Sequence, residues 1–236
     1  MIQSSNRSKR SGHMAWLLTV AVALLWTQSA HAHIEHGQAA GFASGFVHPW
    51  SGWDHIAAMV AVGIWGAQLG APAIWLLPVV FPMVMAMGGF MGLIHLEFPG
   101  GSKTIEIGIA LSALLLGAMV CGDIHSKKPG FLIFAAVLVG LFGLFHGHAH
   151  GTELPPGQSG LLYSIGFVIA TGCLHGCGIA LGVIHRWPIG RVALRGVGAI
   201  IALGGVYFLW EAISGGGEAP KTSVAAVYLS IGLSLL

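Results

Sequence analysis

The sequence predicts an all-α fold, a polytopic bundle of transmembrane helices. Of its 236 residues, 55% are hydrophobic and 8% are charged, and the mean hydropathy is +0.81. A soluble domain needs about a quarter of its residues charged, so most of this surface must face lipid. The 37 glycines lie among Leu, Val, Ile and Ala without a fixed period, as in membrane helices that pack closely. No apolar stretch alternates with the period of two that is typical of membrane strands.

Charge and cysteine content exclude several classes of function. The net charge of +2 and the absence of a basic stripe argue against nucleic acid as a partner. The cysteines, Cys121, Cys173 and Cys177, lie within or beside apolar runs and do not indicate a disulfide framework. The sequence has no G-x-x-x-x-G-K-[ST] motif, so ATP hydrolysis at a P-loop is not indicated.

Residues 1–32 have the pattern of a cleaved signal peptide. Arg7, Lys9 and Arg10 precede an apolar stretch of 13 residues at 14–26, and Ala30-His-Ala32 follows. Thirteen helical residues reach roughly 20 Å, which is short of the ~30 Å hydrocarbon layer. We expect a mature chain of residues 33–236 that forms one transmembrane domain. An uncleaved anchor remains the alternative.

Long apolar runs downstream predict six or seven spans, separated by short Gly, Pro and charged segments. Pro78 and Pro82 fall inside the second span and should kink it. The last run has 15 residues, about 22 Å of helix, so it is a short or tilted span if it crosses at all. The predicted spans lie near 47–69, 73–95, 104–122, 130–149, 159–184, 193–213 and 222–236.

The positions of basic residues predict the orientation. With an outward N-terminus, the inward loops hold five basic residues and the outward loops only Lys103 and Lys221. This asymmetry follows the positive-inside rule. We therefore expect the bacterial inner membrane, with the mature N-terminus in the periplasm. The inward basic residues are Lys127, Lys128, Arg186, Arg191 and Arg195.

Two histidine motifs lie at the ends of apolar runs. The first, HPWSGWDH at 48–55, contains His48, Asp54 and His55; on one helix the two histidines would be two turns apart on one face. Asp54 is near enough to ligate a metal or to orient an imidazole. The alternative is an interfacial histidine beside a helix start at Pro49 or Gly52.

The second motif, FHGHAHGTE at 145–153, spaces His146, His150 and Glu153 along one helical face. His148 points elsewhere, as an accessory ligand or an interfacial residue. Ionisable groups are costly in a membrane and are functional hypotheses there by default. Imidazole with carboxylate suits divalent Ni, Co, Zn, Cu or Fe.

The predicted topology brings both motifs to the periplasmic side. His95 and Glu97 end the second span on that side, and Glu106 opens the third. We therefore expect one metal site there. Further candidate accessory ligands are His33 and His36 at the mature N-terminus, His95, and an inner station of Cys173, His175 and Cys177. A cysteine in such a run is more often a packing residue. His125 and His185 should be ordinary solvated residues.

The spacing His48-x5-Asp54-His55 together with Phe145-His146-Gly-x-x-His150-Gly-x-Glu153 resembles the signature motifs of the HupE/UreJ family of nickel permeases. These are accessory to hydrogenase and urease maturation. The resemblance covers nearly the whole mature chain. The related nickel–cobalt transporter family has four residues between the His and the Asp-His pair, not five. Some HupE/UreJ members resemble cobalt carriers, and His148 and the Cys173/His175/Cys177 set depart from the family pattern.

The resemblance implies secondary uptake of Ni2+ that depends on both motifs. We expect capture by His33 and His36, transfer to the two motifs, and inward release with the Pro78/Pro82 kink as a hinge. No cofactor is permanently bound. The partners are the transported metal and the bilayer, with nickel-enzyme maturation proteins served indirectly; a homo-oligomer is left open.

Three alternatives use the same residue types. One is an intramembrane metal-dependent hydrolase, another is a haem-binding electron carrier, and the third is a permease for Co2+ or another divalent metal. The hydrolase lacks an additional Ser or Asp partner within the spans. A haem would be held by single histidines that face each other across helices, and histidines on adjacent turns at one end of the bundle fit that arrangement poorly.

Overall fold

The structure is a computed structural model that describes residues 38–126, 128–154 and 157–214, and this part of the chain contains helices and turns but no strand. The all-α prediction is confirmed. The predicted signal peptide, His33, His36 and the 222–236 span lie outside the described residues. The α-helices are α1 (Gln38–Val47), α2 (Trp53–Leu69), α3 (Ala73–Leu93), α4 (Gly101–Gly122), α5 (Pro129–Thr152), α6 (Gly160–Gly182) and α7 (Pro188–Ser214), with 3₁₀ turns at His48–Trp50 and Val183–Arg186.

Helices α3 to α7 supply five segments that are long and apolar enough to cross a bilayer, the α6 segment continuing to Arg186. Helix α2 has only 17 residues, about 25 Å of helix, but is the most enclosed. Every side chain from Ala61 to Gln68 is buried. Because it packs against α3, α4, α6 and α7, α2 is the central helix of the bundle.

The predicted span at 47–69 does not form one helix. Pro49 lies in a 3₁₀ turn, and both the backbone N–H and the hydroxyl of Ser51 donate to the carbonyl of His48, at 3.0 and 2.6 Å. Gly52 is extended, with φ −106° and ψ 119°, and caps α2. The helix therefore begins at Trp53, and His48 lies in the break that precedes it. The Pro and Gly of this motif set the boundary.

Helices α4 and α7 begin earlier than the predicted 104 and 193, at Gly101 and Pro188. Lys103, Arg191 and Arg195 were counted above as loop residues, but they lie within these two helices. The long side chains of such residues can reach the interface from within a helix end.

Helices α3 and α5 run parallel and touch backbone to backbone. A Cβ at Gly147 would overlap the carbonyl oxygen of Met85, so only glycine fits there. The backbones of the pairs α2/α6 and α4/α7 are also in direct contact, at Gly63 and Gly198 respectively. These three pairs are also among the most extensive packing contacts in the described chain.

Exposed tryptophans mark both ends of the bundle. Trp53 and Trp210 lie at the end where α2 begins and α7 ends, and Trp75 and Trp187 lie at the opposite end. Tryptophan is enriched at both membrane interfaces, so this arrangement agrees with a membrane protein. Both histidine motifs lie at the Trp53 end, because α2 begins there and α5 ends there.

Candidate metal centre

Asp54 and His55 open α2 as a hydrogen-bonded pair. The Nδ1–H of His55 donates to Oδ1 of Asp54 at 2.8 Å, and the backbone N–H of His55 donates to the same oxygen at 2.9 Å. A Cβ at Gly52 would lie 2.7 Å from that oxygen, so glycine at the cap leaves room for the pair. With Nδ1 protonated, Nε2 of His55 carries the lone pair. This atom is buried and has no partner in the described chain.

His146 has the same electronic arrangement on α5. Its Nδ1–H donates to the carbonyl of Phe142 at 2.9 Å, one turn earlier, which leaves Nε2 as the acceptor. The side chain is 0% exposed and its Nε2 has no partner among the described residues. The rings of His55 and His146 lie 4.9 Å apart between centroids. We call these two residues the buried pair. Each ring thus keeps a buried, unpartnered Nε2 lone pair, which is what an imidazole offers to a metal ion.

A second group lies nearer the surface. Nε2 of His48 is 3.1 Å from Oε2 of Glu153, and Nδ1 of His150 is 3.7 Å from the same oxygen. One ligand atom from each of these three residues lies within 4.8 Å of the others. We call His48, His150 and Glu153 the mouth trio. The side chains of Glu153 and His48 are 54% and 31% exposed, whereas that of His150 is 4% exposed.

His150 connects the two groups. Its ring centroid is 4.6 Å from that of His48 and 4.7 Å from that of His55, and it packs on Phe167 at 4.0 Å. All six residues of the two motifs thus lie in one cluster, but His48 reaches it from the 3₁₀ turn and not from a shared helix face with His55. Asp54 contacts His55 and orients it.

A cavity of about 510 Å3 lies against this cluster. Five carboxylates line it and no lysine or arginine does, so its field favours cations. It includes His95, Glu97 and Glu106, which the sequence placed on this side. Its ionisable lining residues are Asp54, His55, His95, Glu97, Glu106, His148, Glu153 and Glu211.

The other residues predicted as accessory metal ligands lie at separate places in the structure. Nε2 of His148 lies 2.8 Å from the carbonyl of Leu96, and the ring packs against Phe98, so His148 fastens the α3–α4 connection. His95 is exposed on the cavity wall. Cys173 and Cys177 are exposed on the outer face of α6, whereas His175 is buried. The structure therefore does not bring the two cysteines and His175 together as one station.

Sequence reasoning missed Phe81, Phe167 and Glu211. Phe81 is fully buried, with its ring 5.4 Å from that of His146. The ring of Phe167 packs against the ring of His150. Aromatic residues in an apolar run carry no signal of such contacts. Glu211 is a lone carboxylate near the end of an apolar helix, and this could have been a signal.

Comparison with known proteins agrees with this picture. The family described as HupE / UreJ protein matches residues 20–208. Protein HupE of Rhizobium leguminosarum bv. viciae is 40% identical over 193 residues, which cover 82% of this chain and 96% of that protein. No solved structure gives a significant match. The resemblance predicted from the two histidine motifs is confirmed, and the chain belongs to the HupE/UreJ family.

Proposed function

We propose that this protein is a secondary permease that takes up a divalent transition metal, with Ni2+ as the expected substrate. The observation that carries the proposal is the buried pair, whose two Nε2 atoms have no partner in the described chain. His55 of this pair also lines the carboxylate-lined cavity. The metal is cargo. In the proposed cell context it supplies hydrogenase or urease maturation, as the family membership suggests.

The graded exposure of the ligands supports transport in preference to permanent storage. The exposed fraction of the side chain falls from 54% at Glu153 and 31% at His48 to 13% at His55, 4% at His150 and 0% at His146. Conduction needs sites that bind a cation well enough to admit it and weakly enough to release it. Neutral imidazoles, which bind without adding fixed charge, suit that requirement.

We further propose that the Trp53 end faces the periplasm of the inner membrane. The structure places Lys128 and Arg195 at the opposite end of the bundle, where α5 and α7 begin. The positive-inside rule then puts the cavity on the outer side. Release on the inner side follows from this orientation.

The test is uptake of 63Ni2+ into proteoliposomes that contain the purified full chain, driven by an outside excess of metal. We expect saturable uptake above that of empty liposomes, with Co2+ the strongest competitor among Co2+, Zn2+ and Cu2+. No uptake above the empty liposomes would refute the permease. Uptake of another metal in strong preference to nickel would refute the assignment of the substrate.

A further inference from the structure

His175 is a buried imidazole that neither the mouth trio nor the buried pair uses. It lies in α6, is 1% exposed, and neither ring nitrogen has a hydrogen-bond partner in the described chain. A buried polar group without a partner costs about 1–3 kcal/mol. A histidine at this position is therefore expensive to keep for packing alone.

Two further oxygen atoms lie near this ring. Thr171, four residues earlier on the same buried face of α6, is 0% exposed and its hydroxyl is unpaired in the described chain. The carbonyl of Pro78 lies near the ring of His175. This carbonyl is free because Pro82, four residues later, has no N–H to donate to it. An imidazole, a hydroxyl and a carbonyl thus share one buried region.

This region lies below the buried pair. His175 is eight residues beyond Phe167, which packs on His150, and this separation is about 12 Å of helix. The backbone of His175 lies against Gly63, eight residues into α2 from His55. Phe81 lies between the two levels, with ring centroids 5.4 Å from His146 and 5.3 Å from His175.

We propose that His175, with the Thr171 hydroxyl and the Pro78 carbonyl, forms a second, inner binding site for the divalent metal on its way through the membrane. The inference rests on the proposed function and assigns a second metal-binding site, further inward on the proposed route of the ion. The exposed Cys173 and Cys177 take no part. Pro82 thereby leaves the Pro78 carbonyl free to serve as a ligand.

The experiment measures 63Ni2+ in two ways on the purified full chain: initial uptake in proteoliposomes and equilibrium binding in detergent. His175→Leu removes the ring nitrogens and keeps an apolar side chain of similar volume, so the helix pair should stay packed. His175→Gln retains polar ligand atoms. Cys177→Ala, on the exposed face of the same helix, is the matched control.

We expect His175→Leu to lower the maximal uptake rate about 10-fold or more, with the nickel concentration for half-maximal uptake little changed, because capture occurs at the intact outer ligands. Its binding should fall by the contribution of one site. His175→Gln should recover part of the rate, and Cys177→Ala should match the parent in both measurements.

Parental uptake by His175→Leu would overturn the inner site and leave the permease standing. A second outcome would also overturn the inner site. In it, the maximal uptake rate of His175→Leu falls, the nickel concentration for half-maximal uptake rises by a similar factor, and His175→Gln recovers none of the rate. That pattern indicates a packing role for His175. Failure of the unsubstituted chain to carry nickel would instead refute the proposed function itself, and the inner site with it.

Discussion

At the scale of single residues, two hydrogen bonds set the chemistry of the site. Asp54 holds the Nδ1–H of His55, and the Phe142 carbonyl holds that of His146. Each bond selects the tautomer in which Nε2 is free to bind. A ligand that is already in the right tautomer and orientation binds metal without first rearranging.

His55→Ala and His146→Ala should each nearly abolish nickel uptake, because each removes a nitrogen of the buried pair. The amount of protein in the membrane should stay near normal. The measurement is 63Ni2+ uptake per unit of immunodetected protein. The control is His125→Ala, an exposed histidine outside the described cluster, which should transport like the parent. Full transport by either variant of the buried pair would exclude the cluster from the pathway.

Asp54→Asn separates the orienting role of Asp54 from a ligand role. An amide oxygen can still accept the Nδ1–H of His55, so Asn should lose less activity than Asp54→Ala. For a residue that orients a ligand, the loss is typically about 10- to 100-fold. The apparent nickel affinity of the two variants, measured by equilibrium binding, distinguishes the orienting role from the ligand role. Equal and complete loss in both would mean that the carboxylate binds the metal itself.

Residue types predicted this cluster well. Histidines and carboxylates are costly within apolar runs, so their positions alone indicated a site. The aromatic neighbours Phe81 and Phe167 could not be predicted, since their contacts depend on how α3 and α6 pack against α5.

At the scale of elements, the break before α2 shows that helical spacing cannot be applied across a Pro- and Gly-containing segment. Counting seven residues from His48 to His55 assumed an unbroken helix, but Pro49, Ser51 and Gly52 end one helical segment and cap the next. The rings still approach to 6.4 Å. The inference of proximity was therefore right for a different geometric reason.

Gly147→Ala should destabilise the α3/α5 pair, because its Cβ would overlap the Met85 carbonyl and force the backbones apart. Overpacking of this kind costs about 1–3 kcal/mol. We expect a lower midpoint of thermal unfolding in detergent. Gly196→Ala is the matched control, since a Cβ there meets nothing within 4 Å and alanine favours helix. An unchanged midpoint for Gly147→Ala would contradict the close contact.

At the scale of the whole molecule, most acidic and most basic side chains of the described residues lie at opposite ends, with Asp123, which ends α4, as the acidic exception. The cavity end carries Glu97, Glu106, Glu153 and Glu211. At the other end, Arg195 donates to the Cys121 carbonyl at 3.1 Å. Lys103 is an exception at the cavity end, where its ammonium donates to the Ile213 carbonyl at 3.1 Å and ties α4 to α7.

Reporter fusions should locate the two ends on opposite sides of the membrane. A phosphatase fused at Gly157 should be active, because that enzyme needs the periplasm, and one fused at Lys128 should be inactive. A cytoplasmic reporter should give the reverse. Matching signals at the two positions would show that α5 does not cross the membrane.

Composition and run length were sufficient to predict the helical class and most helix positions in the described chain, because lipid imposes apolar stretches of defined length. They could not predict that the short α2 is the central helix. That property follows from which helices its glycines allow to approach, and a single sequence does not show those partners.

The glycine contacts that join α3 to α5 and α2 to α6 divide the ligands between two stiff units. His146, His150 and Glu153 belong with the first and Asp54 and His55 with the second. Backbones in direct contact have no side chains between them to rearrange, so sliding within a pair is hindered. Relative displacement is therefore expected between the pairs, where it would pull the ligands of one ion apart. Under the proposed function, a bound cation would link the two units. Its binding would then restrict their relative displacement, and its release would permit it.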